Sequence, residues 1–182
     1  MKKLAIVPLL LLANLAMAQS YPSKRISLVV PFSAGGPSDA HMRKFAISFA
    51  KAMGTPVIVE NVPGAGGHIG PTRVAKAAPD GYTIMQHNTG ISTGPALYKK
   101  LNYNVLTDLD YIGTLVFDPS LLMARSDLPV NSFKEFIAYV KANQQTLSFG
   151  EGGGPSLLSA LLFMTHTRTN IQLIPYKGTG PA

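Results

Sequence analysis

Residues 26–38, with the sequence ISLVVPFSAGGPS, decide the fold of this chain. The first five of them are apolar and mostly β-branched apart from the serine, which is typical of a strand buried on both faces. A glycine turn follows, and apolar residues at helical spacing predict a helix from about Ser38 to Met53. Gly54 ends that helix. A strand, a glycine turn and a helix in this order indicate an α/β fold.

The same unit recurs further along the chain. Residues 57–60 predict a second strand, the glycine turn 64–67 follows, and a short helix ends near Ala77. Residues 82–86 predict a third strand, which leads into the loop 88–94. Repeated units of this kind predict a mostly parallel sheet.

The middle of the chain changes character. Two apolar strands are predicted at 111–116 and 121–124, and Asp118-Pro119 between them suits a crossing into a second lobe. Residues 132–135, with the sequence SFKE, form a capping box that predicts a helix to about Asn143. A strand at 147–149, the glycine loop 150–154, a helix at 155–165 and a strand at 171–174 complete the predicted elements.

The first eighteen residues have the pattern of a secretory signal peptide. Lys2 and Lys3 precede an apolar run over 4–16, and Ala16-Met17-Ala18 fits the small-x-small site that signal peptidase reads. A retained membrane anchor is the alternative, but the run is short for a bilayer core of roughly 30 Å. We therefore expect cleavage near Ala18 and a periplasmic location.

The composition argues against several function classes. The chain has no cysteine, so it contains no disulfide and no thiolate ligand. His41, His68, His87 and His166 never have the H-x-x-x-H spacing of a zinc helix, so we expect no metal and no cofactor. The net charge is +7, with the basic residues scattered, which fits a small anion better than nucleic acid.

Glycine-rich turns at 32–38, 64–67, 88–94 and 150–156 are the main functional signal. Ligands of an open parallel sheet bind beyond the carboxyl ends of its strands. A glycine loop that opens a helix can hold an anion through backbone N–H groups. None of these turns has the spacing of a dinucleotide fingerprint or a P-loop. Any one of them could be an ordinary turn, but their number favours a cleft that binds a carboxylate or a phosphate.

An enzymatic alternative comes from residues 90–94, GISTG, which match the nucleophile elbow G-x-S-x-G. Ser92 would need His166 as its base, since this is the only histidine after it. Pro95 follows at once, and no HGGG-like oxyanion loop precedes the motif. A secreted serine hydrolase is therefore the alternative function, while we expect a protein without catalytic residues.

Asp39 lies in the first turn of the first predicted helix, four residues before Arg43. Two interpretations stay open from the sequence. The two side chains form an ordinary ion pair on the helix surface, or Asp39 fixes the N–H groups of the preceding loop toward a cleft.

Five segments together resemble signatures of the tripartite tricarboxylate transporter receptors, the Bug-type solute-binding proteins. They are VPFSAGGPSD at 30–39, ENVPGAGG at 60–67, APDGYT at 78–83, PALY at 95–98 and PYKGTGPA at 175–182. The resemblance covers residues 21–182, with the motifs in family order, and Arg43 also fits the first signature.

This resemblance implies an α/β fold of the type II periplasmic binding protein kind, with two lobes of mostly parallel sheet around a hinge. It implies a signal peptide at 1–18, a first lobe at 19–117 and an incomplete second lobe at 118–182. It also implies a monomeric receptor that captures a small carboxylate and delivers it to membrane transporter subunits, with no nucleic acid as partner.

The resemblance also implies a set of ligand-binding residues on both lobes. The first lobe provides Phe32, Ser33, Ala34, Gly36, Asp39, Gly64, Gly66, Gly67, Thr89 and Ser92, and the second provides Gly150, Glu151 and Ser156. Members of the family are nearly twice as long, so about half of the fold is expected here. We expect such a chain to be marginally folded and to bind weakly, because sheet edges and apolar helix faces stay open.

Two residues of the second-lobe loop depart from the family pattern. Leu157 stands where histidine is common, and Glu151 stands where small polar residues are usual. A carboxylate that faces a carboxylate ligand repels it. Two interpretations stay open: Glu151 points to solvent, or the ligand carries a cationic group that pairs with it.

Overall fold

A computed structural model describes residues 20–117 and 119–182 of the chain. The predicted signal peptide at 1–18 and Asp118 lie outside the described residues. Within them, no helix combines the length and the apolar character that crossing a membrane requires.

The first sheet consists of three parallel strands, β1 (Ile26–Val30), β2 (Val57–Asn61) and β3 (Thr83–Met85), in the order β2-β1-β3. The central strand β1 is the most deeply buried, with Leu28 paired to Val59 on one side and to Ile84 on the other. Its apolar, β-branched sequence explains this position, since a central parallel strand is covered on both faces.

Helix α1 (Pro37–Met53) covers one face of this sheet. Proline at its first position fits a site where no N–H bond is needed, and Gly54 ends the helix in the left-handed conformation, with φ 65°. Met42 and Ala46 of α1 pack on Leu28, Val30 and Phe32 to form the main apolar core.

Shorter elements connect the strands of the first sheet. A 3₁₀ turn (Ala65–Gly67) and helix α2 (Ile69–Val74) follow β2, and helix α3 (Gly90–Leu97) follows β3. The sequence predicted a loop at 88–94, which was wrong from Gly90 onward. The Asn88 side chain accepts the Gly90 N–H at 3.0 Å just before α3, a local turn signal that the glycines around it obscured.

The second sheet has two parallel strands, β4 (Ser148–Glu151) and β5 (Gln172–Pro175). Helix α4 (Phe133–Asn143) precedes β4, and helix α5 (Pro155–Thr167) connects the two strands. The predicted capping of α4 is confirmed, because Ser132 Oγ accepts the Glu135 N–H at 3.2 Å.

The strands predicted at 111–116 and 121–124 are wrong. Residues 111–117 and 119–125 have no regular secondary structure. Their apolar side chains are largely exposed, with Ile112 at 88%, Phe117 at 93% and Met123 at 83%. A β-strand forms by pairing, and the described strands of both sheets pair only with one another.

Candidate functional site

The loops at the carboxyl ends of the strands in both sheets surround one open cavity. This is where ligands of open parallel sheets bind. Part of the predicted site lines it, namely Phe32, Ser33, Gly36, Thr89, Ser92, Gly150 and Ser156. The other predicted residues do not line it, namely Ala34, Asp39, Gly64, Gly66, Gly67 and Glu151.

Asp39 is buried, with 3% of its surface exposed, and holds the first loop in place. Its Oδ2 accepts the Gly35 N–H at 2.8 Å and the Arg43 Nε–H at 3.0 Å. Its Oδ1 accepts an Asn61 side-chain N–H at 3.0 Å. Both interpretations of Asp39 from the sequence therefore hold together: it pairs with Arg43 and it also binds the loop.

These contacts set the charge state of Asp39. The Arg43 hydrogen bond lowers the pKa of Asp39 most, burial opposes it, and the bonds from Gly35 and Asn61 lower the pKa further. Asn61 also donates to the Phe32 carbonyl at 3.1 Å, so it connects the end of β2 to the first loop. Sequence reasoning missed Asn61, although its place at the end of a strand and before a glycine turn was a usable signal.

His87 forms part of the cavity wall behind Phe32. Its Nε2 lies 3.0 Å from the Gly67 carbonyl, and its Nδ1 accepts the Asn88 N–H at 2.9 Å. The first contact requires a proton on Nε2 and the second a lone pair on Nδ1, whereas the Asn88 carbonyl, 3.0 Å from Nδ1, would need a proton there. Burial lowers the pKa of His87, which favours the neutral ring protonated on Nε2. The ring thus ties the second glycine turn to the end of β3 without adding a charge.

A second histidine, His68, is buried beside the tyrosine Tyr103. His68 is 4% exposed, and its Nδ1 lies 2.7 Å from the Tyr103 hydroxyl. Burial lowers the pKa of His68, with a further contribution from the charge of His87. Burial, aided by Tyr111, raises the pKa of Tyr103 to about 12. Both groups are therefore uncharged at neutral pH and serve to pack the lobe.

The start of α1 is the feature best suited to an anion. The cap residue Gly36 has no side chain, no other side chain caps the helix, and Ala40 donates the first intrahelical bond to Gly36 O at 3.0 Å. The N–H groups of Ser38 and Asp39 come before that bond, so they point out of the helix end. Ser38 lines the cavity, and a helix start carries a partial positive charge.

The loop between β4 and α5 is arranged differently. Glu151 is buried, at 6% exposed, and its Oε2 accepts the Gly153 N–H at 2.5 Å. Ser156 Oγ accepts the Gly152 N–H at 2.6 Å. The interpretation of Glu151 as a solvated side chain is therefore wrong, because the carboxylate folds back onto its own loop.

Loops of the second sheet pack directly on those of the first. The backbone N–H of Ser33 donates to the Lys177 carbonyl at 3.1 Å, and the Ser33 hydroxyl donates to the same oxygen at 2.8 Å. A Cβ added to Gly153 would lie 2.5 Å from the Gly66 carbonyl oxygen, so only glycine permits this approach. Sequence reasoning missed the part of the lining that follows β5, at 178–180.

Ser92 lies in the first turn of α3, on the cavity surface. The rings of His68 and His87 bind Tyr103, Gly67 and Asn88 instead of Ser92. His166, the base that a hydrolase would need, lies in the last turn of α5. These ring contacts therefore provide Ser92 with no base from His68 or His87. Within the described part of the chain, no three acidic or histidine side chains gather into a group that could hold a metal.

Comparison with known proteins identifies the family to which this chain is similar. Residues 41–182 match the model of the tripartite tricarboxylate transporter family receptor. A UPF0065 protein from the TAR-I ttuE-ttuC′ intergenic region of Agrobacterium vitis is 42% identical over 170 residues, covering 92% of this chain and 49% of the relative. The chain thus spans about half the length of the curated relatives it matches.

Solved structures agree with this match. The periplasmic binding protein BugD is 40% identical, with a TM-score of 0.81 over 88% of this chain and 55% of its own. MatC of Rhodopseudomonas palustris with bound malate is 33% identical, with a TM-score of 0.73 over 88% of this chain and 56% of its own. The predicted α/β fold of periplasmic binding proteins is confirmed. The chain belongs to the tripartite tricarboxylate transporter receptor family.

Proposed function

We propose that this protein is an extracytoplasmic solute-binding receptor that captures a small carboxylate in the cavity at the start of α1. The observation that carries the proposal is the uncapped helix start at Gly36, which opens into the cavity at the carboxyl edge of a parallel sheet. The malate-bound neighbour supports a carboxylate as the ligand class.

Recognition in this proposal relies on backbone groups. The N–H groups of Ser38 and Asp39 bind one carboxylate oxygen each, with the Ser38 hydroxyl at hand. Asp39 does not contact the solute, because its oxygens accept bonds from Gly35, Arg43 and Asn61. It holds the loop at 32–36 in the geometry that leaves the helix start open.

The partners in this proposal follow from the family. The receptor is exported with cleavage near Ala18, acts as a monomer in the periplasm and delivers its solute to the membrane subunits of a tripartite transporter. It binds no nucleic acid and uses no cofactor. A function without catalysis agrees with the histidine contacts around Ser92.

The proposed binding site is tested by placing a negative charge at the start of α1. Ser38→Glu puts a carboxylate where the solute is bound, while an acid in the first turn favours the helix itself. Ser48→Glu is the matched control, because Ser48 is exposed in the middle of the same helix. We expect the first variant to lose binding of small carboxylates by more than about tenfold and the second to keep it. Equal binding by both variants would place the solute elsewhere.

A further inference from the structure

The loop before α5 lines the cavity and contains a carboxylate that binds a backbone N–H of the loop itself. Glu151 ends β4, and its carboxylate binds the Gly153 N–H. Ser156 Oγ binds the Gly152 N–H. Two backbone donors that face the cavity side of this loop are therefore occupied by side chains of the loop itself.

The start of α5 offers few other donors. Pro155 at the first position has no N–H. The backbone N–H of Ser156 donates to the Gly153 carbonyl at 3.2 Å, and the backbone N–H of Leu158 donates to the Gly154 carbonyl at 3.1 Å. The start of α1, in contrast, has two outward N–H groups and no capping side chain. An anion in the cavity therefore meets more free N–H donors at the start of α1 than at the start of α5.

The charge of Glu151 also acts on the first lobe. Tyr98 lies against Gly66, and Gly153 of the loop before α5 contacts the same residue. Burial raises the pKa of Tyr98, and the negative charge of Glu151 raises it further. A negative group of a solute at this end of the cavity would meet the same repulsion.

No lysine compensates for this charge among the described residues that line the cavity, and their only arginine is Arg125. Arg125 forms an exposed ion pair with Asp127 at 2.5 Å. Asp108 and Asp110 also line the cavity and add negative charge. The cavity therefore has one place prepared for a carboxylate.

We infer that Glu151 restricts the solute of this receptor to a single carboxylate, whose far end carries no negative charge. The inference rests on the proposed function and names the substrate class of the same site. It separates this chain from its malate-bound neighbour, because malate has two carboxylates.

The test compares two ligands of equal length, succinate with two carboxylates and succinamate with one carboxylate and one amide. Ligand-observed NMR at pH 7.5 measures their affinities for the unaltered chain and for Glu151→Gln, since this method also detects weak binding. We expect the unaltered chain to prefer succinamate by about tenfold, because like charges repel strongly in a partly dry site. In Glu151→Gln, succinate should gain most of that factor while succinamate changes less than about twofold.

Asp80→Asn is the charge-matched control, because Asp80 forms an exposed ion pair with Lys24 and is not itself among the residues that line the cavity. Its ligand preference should equal that of the unaltered chain. Equal affinities for the two ligands in the unaltered chain, or a preference that survives Glu151→Gln, would overturn the inference and leave the receptor proposal intact. Should Glu151→Gln not fold, the preference of the unaltered chain alone decides. If neither ligand binds, both the receptor proposal and this inference are overturned.

Discussion

At the scale of single residues, Asp39 shows how one buried carboxylate can shape a site without contacting the ligand. It connects α1, the first loop and the end of β2 through Arg43, Gly35 and Asn61. Each of these groups would lose a bond if the carboxylate were removed. Gly35 and Arg43 are exposed and could bond to water instead, whereas Asp39 is buried, and a buried polar group that loses its partners costs roughly 1–3 kcal/mol.

Asp39→Asn should therefore lower the free energy of unfolding at pH 7 by about 2–4 kcal/mol. The pKa of Asp39 is lowered in the folded state, so its stabilising contribution is present above the unfolded pKa and is lost as the pH falls through the folded pKa. The difference between the variant and the unaltered chain should thus shrink in acid. Urea unfolding at pH 7 and pH 3 measures it. A difference that is the same at both pH values would contradict the role of the ionised carboxylate.

Ser92 is the residue for which sequence motif and structure disagree. It matches a nucleophile elbow, but His68 and His87 bind other groups. We expect a fluorophosphonate probe to leave the protein unlabelled. Stoichiometric labelling that disappears in Ser92→Ala would contradict the receptor proposal and favour the hydrolase.

At the scale of elements, the glycines of the second-lobe loop allow two sheets to meet. Gly153 has φ 80°, and its backbone lies against the Gly66 carbonyl. Gly54 at the end of α1 also has a positive φ, of 65°, but an added Cβ there would meet nothing within 4 Å. Alanine at position 54 therefore introduces backbone strain alone, whereas alanine at position 153 introduces both strain and a steric clash.

Gly54→Ala should cost about 1 kcal/mol of stability, the usual penalty of a left-handed alanine. Gly153→Ala should cost that amount and a further 1–3 kcal/mol or so, because the Gly66 backbone cannot move aside as a flexible side chain would. It should also weaken carboxylate binding, while Gly54→Ala leaves the affinity unchanged. Chemical unfolding and ligand-observed NMR measure the two effects. Similar losses in both variants would show that the loops do not pack as described.

The sequence predicts most elements because local signals and burial agree. The run at 26–30, the glycine at the end of α1 and the capping box of α4 each specify one outcome, and the structure confirms them. The segments 111–116 and 121–124 have the apolar pattern of strands, but pairing partners decide whether strands form. Periodicity says nothing about such partners.

The candidate site was predictable only in its loops. Glycine turns indicated which strand ends would bind an anion, but not which backbone N–H groups stay open. Glu151 and Ser156 occupy donors of the second loop, while Asp39 leaves the start of α1 open. These differences depend on side-chain rotamers and on contacts distant in sequence, such as Asn61 with Phe32.

At the scale of the whole molecule, the described chain joins two small parallel sheets through loop contacts around one cavity. The chain spans about half of its relatives' length. Exposed apolar side chains such as Leu106, Ile112 and Phe117 agree with the expectation of a marginally folded chain, which stays a prediction. The division into lobes at residue 117 also stays a prediction.

Titration of the ¹⁵N-labelled chain with succinamate, followed through the backbone amide signals, tests whether a small carboxylate binds at the start of α1. We expect saturable shifts for the amides of residues 33–39 and 178–180, with Ser38 and Asp39 moving most, while those of α4 stay in place. Absence of saturable shifts, or the largest shifts outside these two segments, would contradict binding at this position.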